Sequence, residues 1–128
     1  MRTRPLKEAR QWGYQRVAAH KSVLIVDTAP PALPRHARAG CASTLAFEFS
    51  ADGQRLIVNC GGAALAGGQV PVRIEQGLRA TAAHSSLVLD EANSTAVLLG
   101  GKLGSGVNEV EVDRRTLDLN GGSATRIE

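Results

Sequence analysis

An all-β fold, an antiparallel sandwich or an incomplete part of one within a larger β-domain, is what this sequence predicts, on three observations. Short runs rich in Val, Ile, Leu and Thr recur along the chain, separated by clusters of Gly, Asn, Asp and Ser. Asp52-Gly53, a favoured two-residue turn, sits between two alternating runs. No stretch keeps a long helical period, so strands have no rival.

Length and composition bound the rest. At 128 residues the chain suits one domain or part of one, since domains commonly hold about 100–150 residues. An apolar fraction of 43% excludes a disordered composition. Trp12, Tyr14, Phe47 and Phe49 are its only aromatic residues, so the core is expected to be Val, Leu, Ile and Ala. Of the net charge of +3, much lies in Arg2, Arg4, Lys7 and Arg10. That reads as a basic tail, and without interleaved aromatics no nucleic-acid partner is expected. No apolar run is long enough for a membrane helix and the basic start lacks the apolar core of a secretory signal, so a soluble chain is expected. Cys41 and Cys60 are compatible with one disulfide or with two free thiols, and the reading leans towards free thiols.

Taken in order, residues 1–11 read as a poorly ordered basic segment and residues 12–128 as the β-domain. Trp12 to Ala19 and Lys21 to Asp27 form a hairpin turning near His20, which is read as a solvated loop residue. The prolines of Thr28 to Gly40 make a loop, where His36 stands with Arg35 and Arg38. In the Asp52-Gly53 hairpin a two-residue turn sets Ser50 opposite Arg55, Phe49 opposite Leu56, Phe47 opposite Val58 and Leu45 opposite Cys60. That register gathers the apolar side chains on a core face, Cys60 among them, and turns Asn59 to the polar side. The Gly61 to Gly68 link lacks a phosphate-loop pattern. Val70 to Ile74 reads as a short strand, and Glu75 to Ala80 as a helical turn or irregular link. Further strands are expected at Leu87 to Asp90, Thr95 to Leu99, Val107 to Val112, Thr116 to Leu119 and Ala124 to Ile127. Glu109, Glu111 and Asp113 make a solvated acidic row.

Between the link and Leu87 lies Arg79-Ala80-Thr81-Ala82-Ala83-His84-Ser85-Ser86. Its imidazole is the best candidate for chemistry in the chain; composition alone favours a plainer role, ordering a turn. Thr81-Ala82-Ala83-His84-Ser85-Ser86, the run Thr44 to Phe49 and the run Arg55 to Gly61 resemble, in order, three motifs of the heparinase II/III-like family of polysaccharide lyases. The resemblance extends from about Trp12 to the C-terminus.

The resemblance implies a lyase acting on an acidic, uronic-acid polysaccharide, such as a glycosaminoglycan or alginate, by β-elimination. Such a reaction takes a base at C5 of the uronate, a group that neutralises its carboxylate and an acid for the leaving oxygen. Much of this belongs, in the family, to an α-helical toroid domain for which the chain has no helical periodicity, so it is expected to be a fragment, inactive alone. His84, and His36 by a loop shift, are the catalytic candidates; Arg79 and Asn59 are the substrate-binding ones. A family zinc site falls on His84, Cys41 and Asn59. An amide replaces a carboxylate there, so the site reads as degraded and zinc as possible only through the resemblance. A metal-free version has Asn59 on one ring nitrogen of His84 and Ser85 or Ser86 on the other. A periplasmic location is likewise implied by the resemblance alone. The competing reading is a non-catalytic sandwich that binds glycan or protein.

Overall fold

The computed structural model describes residues 8–9, 13–37, 39–63, 68–99 and 102–128, for residues 8–9 the backbone only. Trp12, Arg38, Gly67 and the basic residues Arg2, Arg4, Lys7 and Arg10 lie outside the described residues. The fold is all-β and antiparallel, with one short α-helix. Five strands form a meander in chain order: β1 (Glu8–Ala9), β2 (Tyr14–Ala19), β3 (Ser22–Asp27), β4 (Phe47–Ala51) and β5 (Gln54–Ile57). The short helix α1 (Val72–Gly77) follows, then two two-stranded sheets, β6 (Thr95–Val97) with β7 (Leu103–Gly106) and β8 (Arg114–Leu119) with β9 (Gly122–Ile127).

The tight turns stand where their residues put them. Ala19 pairs with Ser22 across His20-Lys21, Ala51 with Gln54 across Asp52-Gly53, and Leu119 with Gly122 across Asn120-Gly121. Asp52 and Gly53 have φ of 50° and 78°, the left-handed pair whose twist suits a hairpin. Register then rows up Val17, Leu24 and Phe49 on one face of the sheet, with Tyr14 beside Asp27, and Ile25 beside Glu48, on the other.

Five expectations are corrected. Ser50 does face Arg55, but a bulge between Phe49 and Ser50 places Phe49 opposite Ile57, leaving Leu56 out of register. Leu45 and Cys60 lie outside the strands, and the supposed core face is open: Leu45 is 52%, Leu56 61% and Val58 55% exposed. Val72 to Ile74 belongs to α1 rather than to a strand. Leu87 to Asp90 contributes only a bridge from Leu89 to Ala92, around Asp90 and Glu91 at φ of 49° and 58°. Val107 to Val112 is irregular, and the strand is instead Leu103–Gly106. Gly106 is what allows it, because a Cβ there would stand 2.4 Å from Thr95 Cα on the paired strand.

Among the described residues the buried apolar side chains are small apart from one: Ala37, Ala42, Ala46 and Leu103. The β8–β9 hairpin leans on the sheet through Arg114, which donates to Gln15 Oε1 (3.2 Å) and to the Arg16 carbonyl (3.1 Å). Beneath it an apolar groove of about 600 Å³ stays open, lined in part by Val17, Leu24, Val26, Val112 and Ile127. No helix among the described residues is long and apolar enough to cross a membrane.

Candidate functional site

The site is built on the turn that follows α1. The helix stops at Gly77, and backbone bonds Arg79 N–H to Gln76 O (3.1 Å) and Ala80 N–H to Gly77 O (3.1 Å) coil the chain onward. It enters a 3₁₀ turn at Thr81–Ala83, which His84 N–H closes onto Thr81 O at 2.9 Å. Small side chains at 80, 82 and 83 let this coil press against its neighbours. Thr81, 1% exposed, donates its hydroxyl to the Ala42 carbonyl (2.8 Å) and accepts the Ser94 N–H (2.9 Å), while its own N–H reaches Asn93 Oδ1 (2.8 Å).

Beyond Ile57 the fifth strand leaves β4, and Ser85 takes its place. Phe47 N–H donates to the Ser85 carbonyl and hydroxyl, both at 3.2 Å, and the Ser85 hydroxyl donates to Phe47 O at 2.5 Å. The Ser86 hydroxyl donates to Thr44 O at 2.8 Å. These serines were expected on the imidazole; they staple the turn to the start of β4 instead, because that edge would otherwise lack partners.

So held, His84 is 8% exposed and its Nδ1 lies 2.7 Å from Asn59 Oδ1. The amide oxygen only accepts, so the proton of the neutral ring sits on Nδ1 and the lone pair on Nε2. Nε2 is buried and meets no partner of strict hydrogen-bonding geometry, although a looser hydrogen bond to the Leu78 backbone favours the charged ring. Burial lowers the pKa of His84 from 6.5; the Leu78 carbonyl and Asp27 oppose that shift.

Asp27 was missed by the sequence reading. Its carboxylate accepts the Ser43 hydroxyl (3.3 Å) and the Ala29 N–H (3.2 Å). Burial raises its pKa, against those two bonds and the His84 charge. Tyr14, across from it, is held protonated by burial and then by the Asp27 and Glu48 charges. Only a partner strand aligns these groups, so spacing along the chain carried no signal for them.

Cys60 is exposed rather than in the core; its sulfur lies 2.9 Å from Ala83 O and 3.9 Å from His84 Nδ1. Asn59 already takes the Nδ1 proton, so the thiol and ring do not form a nucleophile–base pair. Arg79, expected at a surface, is 2% exposed: Nε donates to Gly40 O (2.6 Å) and Nη2 to Ala37 O (3.2 Å), while buried Nη1 has no partner. With Glu75 and Ala39 it lines a cavity of about 210 Å³. His36 is exposed on its own 3₁₀ turn, accepting from Arg35 Nε at 2.9 Å, and no described contact joins it to His84.

A zinc ion does not fit what is here. Among the described residues no three His, Cys, Asp or Glu side chains converge as a metal-binding group. His84 Nε2 is a single available donor, Asn59 contributes an amide, and the half-buried Cys41 thiol, its pKa raised chiefly by burial, turns to Ala39 O at 3.8 Å.

No curated protein and no solved structure matches this sequence. A family model does: Heparinase II/III-like, C-terminal, over residues 1–126. With that match across nearly the whole length, the chain belongs to the heparinase II/III-like C-terminal family.

Proposed function

We propose that the chain serves a polysaccharide lyase that cleaves uronic-acid polymers by β-elimination, contributing the His84 surface while an α-helical toroid domain supplies most of the base and acid. The observation that carries this is the Asn59–His84 bond, which orients the ring and leaves Nε2, beside the Leu78 carbonyl, as the nitrogen turned to a further partner. Once neighbouring groups reopen the turn, such a nitrogen can accept a sugar hydroxyl or take a proton. Arg79 supports the same reading: a guanidinium with one unpaired nitrogen in a cavity wall suits a uronate carboxylate. His36, exposed and paired with Arg35, is the weaker second histidine.

The open apolar face of the five-stranded sheet favours a chain that works against a further domain, and alone it is expected to be inactive. The test is the complete reading frame assayed on a panel of uronate polymers for unsaturated product absorbing in the ultraviolet. Release of product, abolished in His84→Ala with the fold retained, is expected. Unchanged release from that variant would remove His84 from the mechanism. No release from any polymer would favour the second reading, a non-catalytic module binding glycan or protein, for which the burial of His84 is the supporting observation.

A further inference from the structure

The chain has two cysteines, and both lie on segments fastened to the 79–84 turn. On one side Cys41 stands between Gly40, whose carbonyl takes Arg79 Nε, and Ala42, whose N–H reaches Arg79 O at 2.8 Å. On the other, Cys60 rests its sulfur on Ala83 O. Cys41 Sγ faces the segment just after Cys60, since a Cβ built on Gly62 would stand 3.1 Å from it. Two residues of chain reach at most about 7 Å, so the sulfurs are separated by a short, movable span. Gly61, at φ +66°, and Gly62 are the hinge of that span.

We propose that Cys41 and Cys60 form a reversible intramolecular disulfide on mild oxidation, and that closing it disturbs the Asn59–His84 contact. The chemistry balances with oxidised glutathione as oxidant. The exposed Cys60 thiolate attacks one glutathione sulfur, breaking the glutathione S–S bond and expelling a glutathione thiolate. The half-buried Cys41 thiolate then attacks the Cys60 sulfur of the mixed disulfide, forming the internal bridge and expelling the second glutathione. Two protein thiols are oxidised, one glutathione disulfide is reduced to two thiols, and the two protons end on the departing thiolates. Because Asn59 adjoins Cys60, drawing that sulfur towards Cys41 shifts the amide away from the ring. The inference stands on the two thiols and is independent of the polysaccharide reading.

The test treats the full chain with oxidised glutathione and reads intact mass, free thiols and the His84 ring by nitrogen-15 NMR. Expected are loss of both thiols, a mass lower by two hydrogens, one linked peptide holding Cys41 and Cys60, a shifted His84 Nδ1 signal, and full reversal by dithiothreitol. Cys41→Ser and Cys41→Ala should instead stop at a glutathione adduct on Cys60. Stable adducts on the unaltered chain, bridges between two chains, or thiols that stay unreacted would overturn the bridge. A bridge that leaves the His84 signal in place would overturn its effect on the site.

Discussion

The turn at residues 79–86 and the five-stranded sheet are held by different forces. In the turn the buried side chains are polar: Arg79, Thr81 and His84 have at least one hydrogen-bond partner each, reaching the 37–42 loop, the 93–94 segment and Asn59. On the sheet the large apolar side chains of β5 and of the turn before β4 stay substantially exposed, Leu45 at the open groove beneath the β8–β9 hairpin. The difference teaches where geometry is specified. Directional bonds from several segments fix the imidazole whatever covers the sheet, whereas apolar burial contributes only in proportion to the area removed from water. The region that carries candidate chemistry is therefore the one least dependent on a partner.

The sharpest way to break that contrast is Arg79→Met. The substitution keeps the apolar stem but leaves the half-buried Gly40 carbonyl and the buried Ala37 carbonyl without their charged donor. A loss of about 3 kcal/mol is expected, the cost of a buried pair of charge-assisted bonds. A shift in urea midpoint measures it; a loss near zero would mean that the loop is held by other contacts. Thr81→Val comes next. It is nearly isosteric but strips the bonds to Ala42 O and Ser94 N–H. About 2 kcal/mol is expected by the same measurement, with loss of the His84–Asn59 contact visible in the ring nitrogen shifts.

Acid should act on the turn first. His84 titrates below its ordinary 6.5 in the folded chain, so as pH falls through that value the unfolded chain binds the proton first. The stability from the neutral buried ring is present above 6.5 and is lost as pH falls from there to the folded value. Asp27 works oppositely: its folded pKa is raised above 3.8, so its contribution grows as pH falls from that raised value to 3.8. His84→Gln should flatten the decline in urea midpoint below 6.5. Asp27→Asn should lower the imidazole midpoint further, because the carboxylate supports the charged ring. A decline that survives His84→Gln would place the acid sensitivity elsewhere.

What the residues made legible were features stored locally. The turns near His20 and at Asp52-Gly53 lie where their composition placed them. The Asn59–His84 contact was expected from the resemblance rather than from local composition, and the two side chains do meet. Features that depend on a partner were hidden. Leu87-Val88-Leu89 and Val107 to Val112 have strand-forming residues but no ladder to join, whereas glycine-rich Leu103–Gly106 pairs because β6 approaches too closely for side chains. The bulge at Phe49/Ser50 shifted Leu56 by one position and, with it, the assumed core. Asp27 became visible only when β2, β3 and the Ser43 loop lay side by side.

The smallest expected effects are at two exposed leucines, Leu56→Ser on the sheet side of the comparison and Leu87→Ser in the irregular segment after the turn. Leu56 is 61% and Leu87 72% exposed, so each side chain removes little area from water when this chain folds. Truncating it forfeits little transfer free energy and opens no cavity, and each change should fall within about 0.5 kcal/mol. Urea midpoints of the two variants, run beside Thr81→Val, would show the contrast directly. A cost of about 2 kcal/mol or more at either leucine would mean that the face is covered in solution, and the contrast between polar turn and open sheet would fail.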